Sequence, residues 1–312
     1  NKTKLISPLE KVFPDKEPVP LPWPVRMNLL KEDTLMFQLA VRTDTDQWLA
    51  RFDADLKVES PIADLITVRK VDLIPVRLAA INPSDGDYLS DQPGLYPDLL
   101  RPSDNGVWRV MNRQWNSFWI EVETTEGTRA GTYPVTFSLT LHSPFGSDTL
   151  TTTISAEITV IDAVLPKQTL KHTEWFYADC IADYYHVEPW SEEHWKLVEA
   201  QVAMAASRGV NMLLTPIYTP PLDTAVGHER TTTQLMDIVV DGGEYHFGFE
   251  KLRRWIEMAQ RHGIEYFEMA HLYTQWGAAH CPKIMATVDG EYKRIFGWEG
   301  DSNGERYRTF LH

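Results

Sequence analysis

Apolar and polar residues alternate along the first half of the chain. From Thr34 onward, apolar residues recur at every second position, which places one face of a β-strand in a core and the other in water. Glycine and proline in the intervening segments suit tight turns, and no helical pattern of credible length interrupts the region. The pattern predicts an immunoglobulin-like antiparallel β-sandwich over residues 1–165. The alternating sets are Leu35, Phe37, Leu39 and Val41; Phe118, Ile120 and Val122; Val135, Phe137, Leu139 and Leu141; and Ile154, Ala156, Ile158 and Val160.

Two proline-containing segments of the first half lack this alternation. Five prolines fall between Pro14 and Pro24, and because proline fixes its backbone and cannot donate to a sheet, we expect an extended arm that lies on the domain. Residues 88–102, which include Pro93 and Pro97, are too irregular for a strand and are predicted to form a long loop.

The pattern changes at residue 166 to strands that alternate with helices. Ser191 offers an N-cap hydroxyl, apolar residues follow it at helical spacing, and Gly209 ends the helix because glycine adopts the left-handed conformation at low cost. A second helix ends in the same way at Gly263. Strands are predicted at residues 170–179, 210–215 and 264–270.

This alternation implies parallel strands joined by right-handed crossovers. Both an open doubly wound sheet and a closed barrel satisfy that requirement. The glycine-rich turn of a nucleotide-binding unit is missing after the first predicted strand, where residues 178–181 read Ala-Asp-Cys-Ile. The sequence therefore favours a multidomain protein, β plus α/β, in which residues 166–312 form the first units of a (β/α)8 TIM-type barrel.

Polar and aromatic side chains are concentrated at the predicted strand ends, where such barrels build their active sites. Aromatic rings cover the apolar face of a pyranose, and carboxylates and imidazoles bind its hydroxyls, so the pattern predicts a carbohydrate substrate. Two alternatives stay open, because tryptophans at loop ends also close hydrophobic cores and a histidine also serves as a structural hydrogen-bonding group. The candidate substrate-binding residues are Trp175, Tyr177, Asp179, Tyr218, Asp223, His271, Tyr273, Trp276 and Trp298.

Two further acidic residues, Glu174 and Glu268, lie inside predicted strands. Successive side chains of a strand point to opposite faces, so a carboxylate reaches a site only in one register. The sequence does not fix that register, and neither residue is assigned a catalytic role.

Charge and composition exclude several classes of partner. The net charge is −14, with 44 acidic and 30 basic side chains, and a field of that sign repels nucleic acid and anionic lipid. No apolar run approaches the roughly 20 residues that span a bilayer. Cys180 and Cys281 form neither a disulfide framework nor a zinc-ligand spacing, and no His-Glu-x-x-His pattern occurs. We therefore predict no nucleic acid, membrane, metal or cofactor as a partner. A cytoplasmic location is favoured, with secretion or a cell-surface location as the alternative if a signal peptide was removed.

Three segments resemble a known group of proteins. They are residues 214–224, which read Leu-Thr-Pro-Ile-Tyr-Thr-Pro-Pro-Leu-Asp-Thr; residues 273–278, Tyr-Thr-Gln-Trp-Gly-Ala; and residues 282–286, Pro-Lys-Ile-Met-Ala. The chain resembles bacterial glycoside-hydrolase-like proteins related to the β-N-acetylgalactosaminidases, in which a β-sandwich precedes a (β/α)8 barrel. The resemblance covers the whole chain and is strongest from Thr173 to Phe310.

The resemblance implies an N-acetylhexosaminidase with a retaining, substrate-assisted mechanism. In such enzymes the acetamido oxygen attacks the anomeric carbon, an aspartate orients that group, and an adjacent glutamate protonates the leaving oxygen. The Asp-Glu pair follows a strand after the third, and no Asp-Glu dipeptide occurs in these 312 residues. We therefore expect a truncated chain that is inactive alone and contains no assignable catalytic residue. A non-catalytic carbohydrate-binding or assembly module is the alternative, and the open edge of a partial barrel predicts self-association.

Overall fold

The described part of the chain is mostly β, with four α-helices. A computed structural model describes residues 2–45, 50–80, 86, 88–144, 149–274 and 277–312. The chain divides into unit 1, Asn1–Lys167, and unit 2, Gln168–His312. No helix in these ranges is both long enough and apolar enough to cross a bilayer.

Unit 1 contains two five-stranded sheets. Their strand orders are β1-β3-β8-β5-β6 and β2-β10-β9-β4-β7. Neighbouring strands run antiparallel except β2 and β10, which are parallel. The strands are β1 (Lys2–Ile6), β2 (Arg26–Lys31), β3 (Thr34–Arg42), β4 (Arg51–Glu59), β5 (Ile66–Val76), β6 (Gly94–Arg101), β7 (Trp108–Met111), β8 (Trp115–Glu123), β9 (Gly131–His142) and β10 (Thr149–Val164).

The predicted alternation places its apolar residues in one core, to which both sheets contribute. Phe37 of β3 and Phe137 of β9 meet edge to face, with ring centroids 5.8 Å apart. Both side chains are almost fully buried. The period-2 pattern therefore predicts the core-facing positions of unit 1 correctly.

The prediction of a long loop over residues 88–102 is wrong. Strand β6 occupies most of it and pairs with β5. Because β6 lies at the edge of its sheet, it tolerates Pro97, which has no backbone N–H to donate. The register also shifts between Asp72 and Leu73, which face Leu99 and Pro97, so Asp98 is left without a partner in the ladder. This bulge is the kind of irregularity at which a sheet accommodates proline.

The proline-rich arm lies on unit 1, as predicted. The amide of Leu21 donates to the Leu5 carbonyl at 2.7 Å, and the amide of Trp115 donates to the Pro14 carbonyl at 2.8 Å. Val12, which precedes the arm, is buried in a small cluster with Trp115. These contacts tie an element without a regular ladder to the sheet beneath it.

Unit 2 contains a parallel sheet of order β11-β12-β15 and a second sheet of order β14-β13-β16-β17. The parallel pairing agrees with the predicted crossover pattern. The elements are β11 (Thr173–Glu174), α1 (Ala178–Tyr185), α2 (Glu192–Ser207), β12 (Met212–Thr215), β13 (Asp237–Asp241), β14 (Glu244–Gly248), α3 (Glu250–Arg261), β15 (Tyr266–Met269), β16 (Ile284–Val288), β17 (Glu291–Phe296) and α4 (Glu305–Leu311).

The first strand of unit 2 is much shorter than the predicted 170–179. Strand β11 has two residues, and α1 begins at Ala178. Ala178 and Ala182, one helical turn apart, are both buried. Burial of that small-residue face selects a helix where an apolar run alone predicts a strand. Asp179 therefore lies in the first turn of α1 and not at a strand end.

The predicted ends of α2 and α3 are confirmed. The Ser191 hydroxyl accepts a hydrogen bond from the His194 amide at 3.2 Å. Gly209 and Gly263, with φ of +91° and +97°, follow the two helices in the left-handed region. Both helices pack onto the parallel sheet around the fully buried Trp255.

Replacing Ser191 with alanine is expected to destabilise unit 2 by about 1 kcal/mol, because an amide at the start of α2 loses its acceptor. Chemical denaturation followed by helical circular dichroism measures this, since all four described α-helices lie in unit 2. Ser191→Asp is the matched control, because aspartate caps helices as well as serine does. Equal destabilisation by both substitutions would contradict the assigned cap.

Candidate functional site

Strand register assigns faces to the two glutamates of the parallel sheet. Glu174, Leu213 and Phe267 are register partners and share one face. Leu213 and Phe267 pack in the core with α2 and α3, so that face points toward the helices. Glu268 is the next residue of β15 and therefore lies on the opposite face. The Thr173 hydroxyl donates to Glu268 Oε2 at 3.0 Å on that face.

An aromatic pair lies beyond the ends of the same strands. Trp175 follows β11 and His271 follows β15, and their rings meet edge to face with centroids 5.5 Å apart. The Trp175 side chain is 46% exposed. His271 Nδ1 is buried and finds no hydrogen-bond partner in the described residues. A buried ring nitrogen without a hydrogen-bond partner costs free energy, so we expect a ligand or a water molecule to bond to it.

We call the hydrogen-bonded pair and the aromatic pair together the strand-end cluster. They provide an exposed indole ring, a carboxylate with one oxygen held by a hydroxyl, and an unsatisfied imidazole nitrogen. Such a set can bind a ring that is apolar on one face and carries hydroxyls at its edge. The cluster consists of Thr173, Trp175, Glu268 and His271.

A second group of predicted residues meets around an arginine. The Tyr177 hydroxyl donates to Asp223 Oδ2 at 2.8 Å, and the Arg230 guanidinium lies over the Tyr177 ring, 4.2 Å from its centroid. Burial and the hydrogen bond to Asp223 raise the pKa of the Tyr177 phenol above its usual value. The Tyr177 phenol therefore stays a neutral donor throughout the physiological range.

The same arginine makes a buried ion pair with α1. Arg230 Nε donates to Asp179 Oδ2 at 2.7 Å, and the two side chains are 14% and 3% exposed. Asp179 Oδ1 is buried without a hydrogen bond to any described residue. We call Tyr177, Asp179, Asp223 and Arg230 the arginine cluster.

The remaining predicted residues lie elsewhere. Tyr218 is 5% exposed and packs in a hydrophobic core with Phe310, and burial raises the pKa of its phenol to about 12. Tyr273 is exposed and lies 6.2 Å from Tyr307 between ring centroids. Trp298 donates from its indole nitrogen to the His228 carbonyl at 2.8 Å. Trp276 lies outside the described residues.

Three residues of these clusters were not predicted: Thr173, Glu268 and Arg230. Glu268 was considered, but its face depends on pairing with β12, which no local pattern reveals. Arg230 lies 51 residues from Asp179 in sequence. A single arginine in an irregular segment gives no periodic signal, so only its tertiary contacts identify it.

An ion-pair network holds Glu229, the residue that precedes Arg230. Glu229 pairs with Lys283 at 3.1 Å and with Arg294, and Arg294 also reaches Glu299 at 3.1 Å. Burial alone would raise the pKa of Glu229, but the hydrogen bonds from Lys283 and Arg294 outweigh burial and hold it below its usual value.

This lowered pKa predicts an acid-dependent loss of stability. A carboxyl with a depressed folded-state pKa contributes stability above its unfolded value, near 4.5, and loses that contribution as the pH falls through the folded value. The difference in unfolding free energy between wild type and Glu229→Gln should therefore shrink as the pH falls below 4.5. Denaturation between neutral and acidic pH measures it. The exposed Glu257→Gln of α3 is the control, and a constant difference for Glu229→Gln would contradict the prediction.

Neither cysteine is paired with the other, and Cys281 is buried whereas Cys180 is exposed. Burial raises the pKa of the Cys281 thiol to about 11, so it is protonated at neutral pH. Within the ranges that the structure covers, no three His, Cys, Asp or Glu side chains are grouped as metal ligands.

Comparison with known proteins gives one family match. The family model described as the glycoside hydrolase 123 catalytic domain matches residues 175–312. These residues include both clusters except Thr173. No curated protein matches the chain.

Among solved structures, a family 123 glycoside hydrolase from Clostridium perfringens, studied for glycolipid glycan hydrolysis, has the same fold. It superposes with a TM-score of 0.74 at 13% identity over 99% of this chain and 54% of its own. The chain thus spans about half of that protein. The E. coli chaperone DraB reaches a TM-score of 0.23 at 10% identity, covering 44% of this chain and 51% of its own. Over residues 175–312 the chain thus matches the catalytic domain of glycoside hydrolase family 123, and it shares the fold of an enzyme of that family.

Proposed function

We propose that the protein hydrolyses glycosides of an N-acetylhexosamine by a retaining, substrate-assisted route, and that the strand-end cluster holds the sugar. The family match over residues 175–312 carries this proposal. We propose further that unit 1 is an immunoglobulin-like sandwich and unit 2 the first part of a (β/α)8 barrel. The parallel order β11-β12-β15 supports the barrel, and the core shared by two sheets supports the sandwich.

The strand-end cluster offers the groups that a pyranose requires. The exposed face of Trp175 can cover the apolar face of the sugar, since a flat ring buries that face without desolvating its hydroxyls. Glu268 can accept from a sugar hydroxyl. His271 Nδ1, which has no hydrogen-bond partner among the described residues, can form a hydrogen bond with a second sugar hydroxyl.

These residues are assigned to binding and not to proton transfer. Substrate-assisted hydrolysis needs an aspartate and a glutamate side by side, and the 312 residues contain no Asp-Glu dipeptide. The Clostridium perfringens relative was studied for glycolipid glycan hydrolysis, and we extend a glycan of that class to this protein as its proposed substrate.

Calorimetric titration of the chain with N-acetylgalactosamine, and with galactose as the control without an acetamido group, tests the proposal. We expect measurable binding of the N-acetylated sugar and weaker binding of galactose. The natural protein should also release the aryl group from an aryl β-N-acetylgalactosaminide or glucosaminide. Absence of both binding and turnover would rule the proposal out.

A sugar-binding role for unit 1 is the second candidate, favoured by a cavity lined by Trp119, Lys11 and Asp98. Two of its polar groups are already paired, since Lys11 bonds to the Pro97 carbonyl at 3.0 Å and Trp119 donates to Glu121 at 3.1 Å. Alanine substitution separates the candidates. Loss of sugar binding in Trp119→Ala but not in Trp175→Ala would favour unit 1.

A further inference from the structure

We infer that Arg230 is a positioning residue that holds Asp223 against Tyr177 and so fixes a hydroxyl-binding edge of the sugar site. This inference rests on the proposed function for the identity of the ligand. The positioning of the segment around Asp223 does not depend on the proposed function.

Arg230 contacts three separate parts of unit 2 through one guanidinium group. Its Nε binds Asp179 in α1, and its plane covers the ring of Tyr177 before α1. Its Nη1 donates to the carbonyls of Leu222 and Asp223, at 3.4 and 3.5 Å. The planar fork of arginine suits simultaneous contacts of this kind, whereas the ammonium of lysine is a point charge without a stacking face.

The backbone at Asp223 gives these carbonyl contacts their importance. Asp223 has φ of +54°, in the left-handed region that residues other than glycine seldom occupy, although aspartate occupies it more often than most. Such a conformation persists when surrounding contacts hold it. Arg230 supplies two of these contacts at the carbonyls, and the conformation directs the Asp223 carboxylate to the Tyr177 hydroxyl.

The anchoring of Arg230 is itself strong. Its partner Asp179 is buried, and an ion pair with that degree of burial leaves an uncompensated charge when either partner is removed. The backbone of Arg230 is held as well, because Lys283 Nζ donates to its carbonyl at 3.1 Å. The next residue, Thr231, donates from its hydroxyl to Asp183 at 2.7 Å. The side chain therefore transmits a fixed position from α1 to Asp223.

Asp223 can use this position to bind ligand. Its Oδ2 accepts from Tyr177, and its side chain is exposed, so the second oxygen can accept from a sugar hydroxyl. On this basis Arg230 acts through Asp223 without touching the sugar. Tyr177 follows Trp175 by two residues, and on that basis Asp223 borders the proposed sugar site.

The test combines sugar binding with hydrogen exchange. Arg230→Gln should weaken binding of N-acetylgalactosamine by roughly 10-fold to 100-fold, the range for losing a charge-assisted hydrogen bond. It should also speed amide exchange at residues 222–224. Arg230→Lys should also weaken sugar binding and speed amide exchange, since lysine lacks the planar guanidinium fork. Arg253→Gln, an exposed arginine of α3, is the control and should change neither quantity.

A double-mutant cycle separates positioning from a merely structural role. In the Asp223→Asn background, Arg230→Gln should cause little further loss of binding, because its effect passes through Asp223. Full additivity, or unchanged exchange at residues 222–224 in Arg230→Gln, would overturn the inference. If Arg230→Gln does not fold, Arg230→Lys, which keeps a positive charge beside Asp179, is judged by the same two measurements. Wild type that binds no sugar while Arg230→Gln speeds exchange would contradict the proposed sugar site and leave the positioning role standing.

Discussion

Replacing Trp175 with alanine is expected to weaken binding of N-acetylgalactosamine by about 30-fold. The ring is 46% exposed, and a pyranose stacked on it would remove apolar surface from water. Covering roughly 80 Å² at about 25 cal/mol per Å² contributes about 2 kcal/mol, which corresponds to the factor of about 30. Calorimetric titration of wild type and variant measures the difference directly.

Two variants serve as controls for Trp175→Ala. Trp175→Phe keeps an aromatic face and should retain most of the affinity. Trp298→Ala removes an indole that is engaged with the His228 carbonyl and should change sugar affinity much less. Equal affinities of wild type and Trp175→Ala would contradict a sugar site on the strand-end cluster.

Replacing Trp255 with alanine is expected to lower the unfolding free energy of unit 2 by about 3–5 kcal/mol, the usual cost of truncating a large buried aromatic side chain. Trp255 is fully buried and joins the two helices to the parallel sheet. It meets Phe176 and Trp190 at centroid distances of 5.8 and 6.0 Å. Denaturation followed by helical circular dichroism reports the change.

Trp255→Phe is the matched control and should cost less. It keeps an aromatic ring in the core and also removes Trp255 Nε1, a buried nitrogen without a partner in the described ranges. A destabilisation of Trp255→Ala below about 0.5 kcal/mol would contradict the role of Trp255 in the core around α2 and α3, because surface substitutions have effects of that size.

Periodic features of the fold could be predicted from the sequence. The alternation around Phe37 and Phe137 marks core positions because the two faces of a strand meet different environments. Ser191 and Gly209 mark the ends of α2 because capping depends on local chemistry. Parallel pairing of β11, β12 and β15 follows from the order of the elements.

Features set by tertiary pairing could not be predicted. Pro97 in β6 is tolerated because the strand is an edge strand with a bulge, and neither property is visible locally. An apolar run before Asp179 predicts a strand, whereas burial of Ala178 and Ala182 selects a helix. Sequence position placed Tyr218 near a strand end, but its side chain turns into a core.

The candidate site likewise contains residues that could be predicted from the sequence and one that could not. Trp175, Tyr177, Asp223 and His271 were predicted by residue type and by position after strands, and the structure brings them into two clusters. Their roles in binding stay predictions. Arg230 joins segments about 50 residues apart, a relation that only the folded chain contains.

A crystal structure of the protein with N-acetylgalactosamine bound tests the central claim most directly. We expect the pyranose ring to lie against the Trp175 indole, with its hydroxyls within hydrogen-bonding distance of Glu268 and His271 Nδ1. A sugar bound only in unit 1, or one in unit 2 that leaves Trp175 and His271 untouched, would contradict the claim.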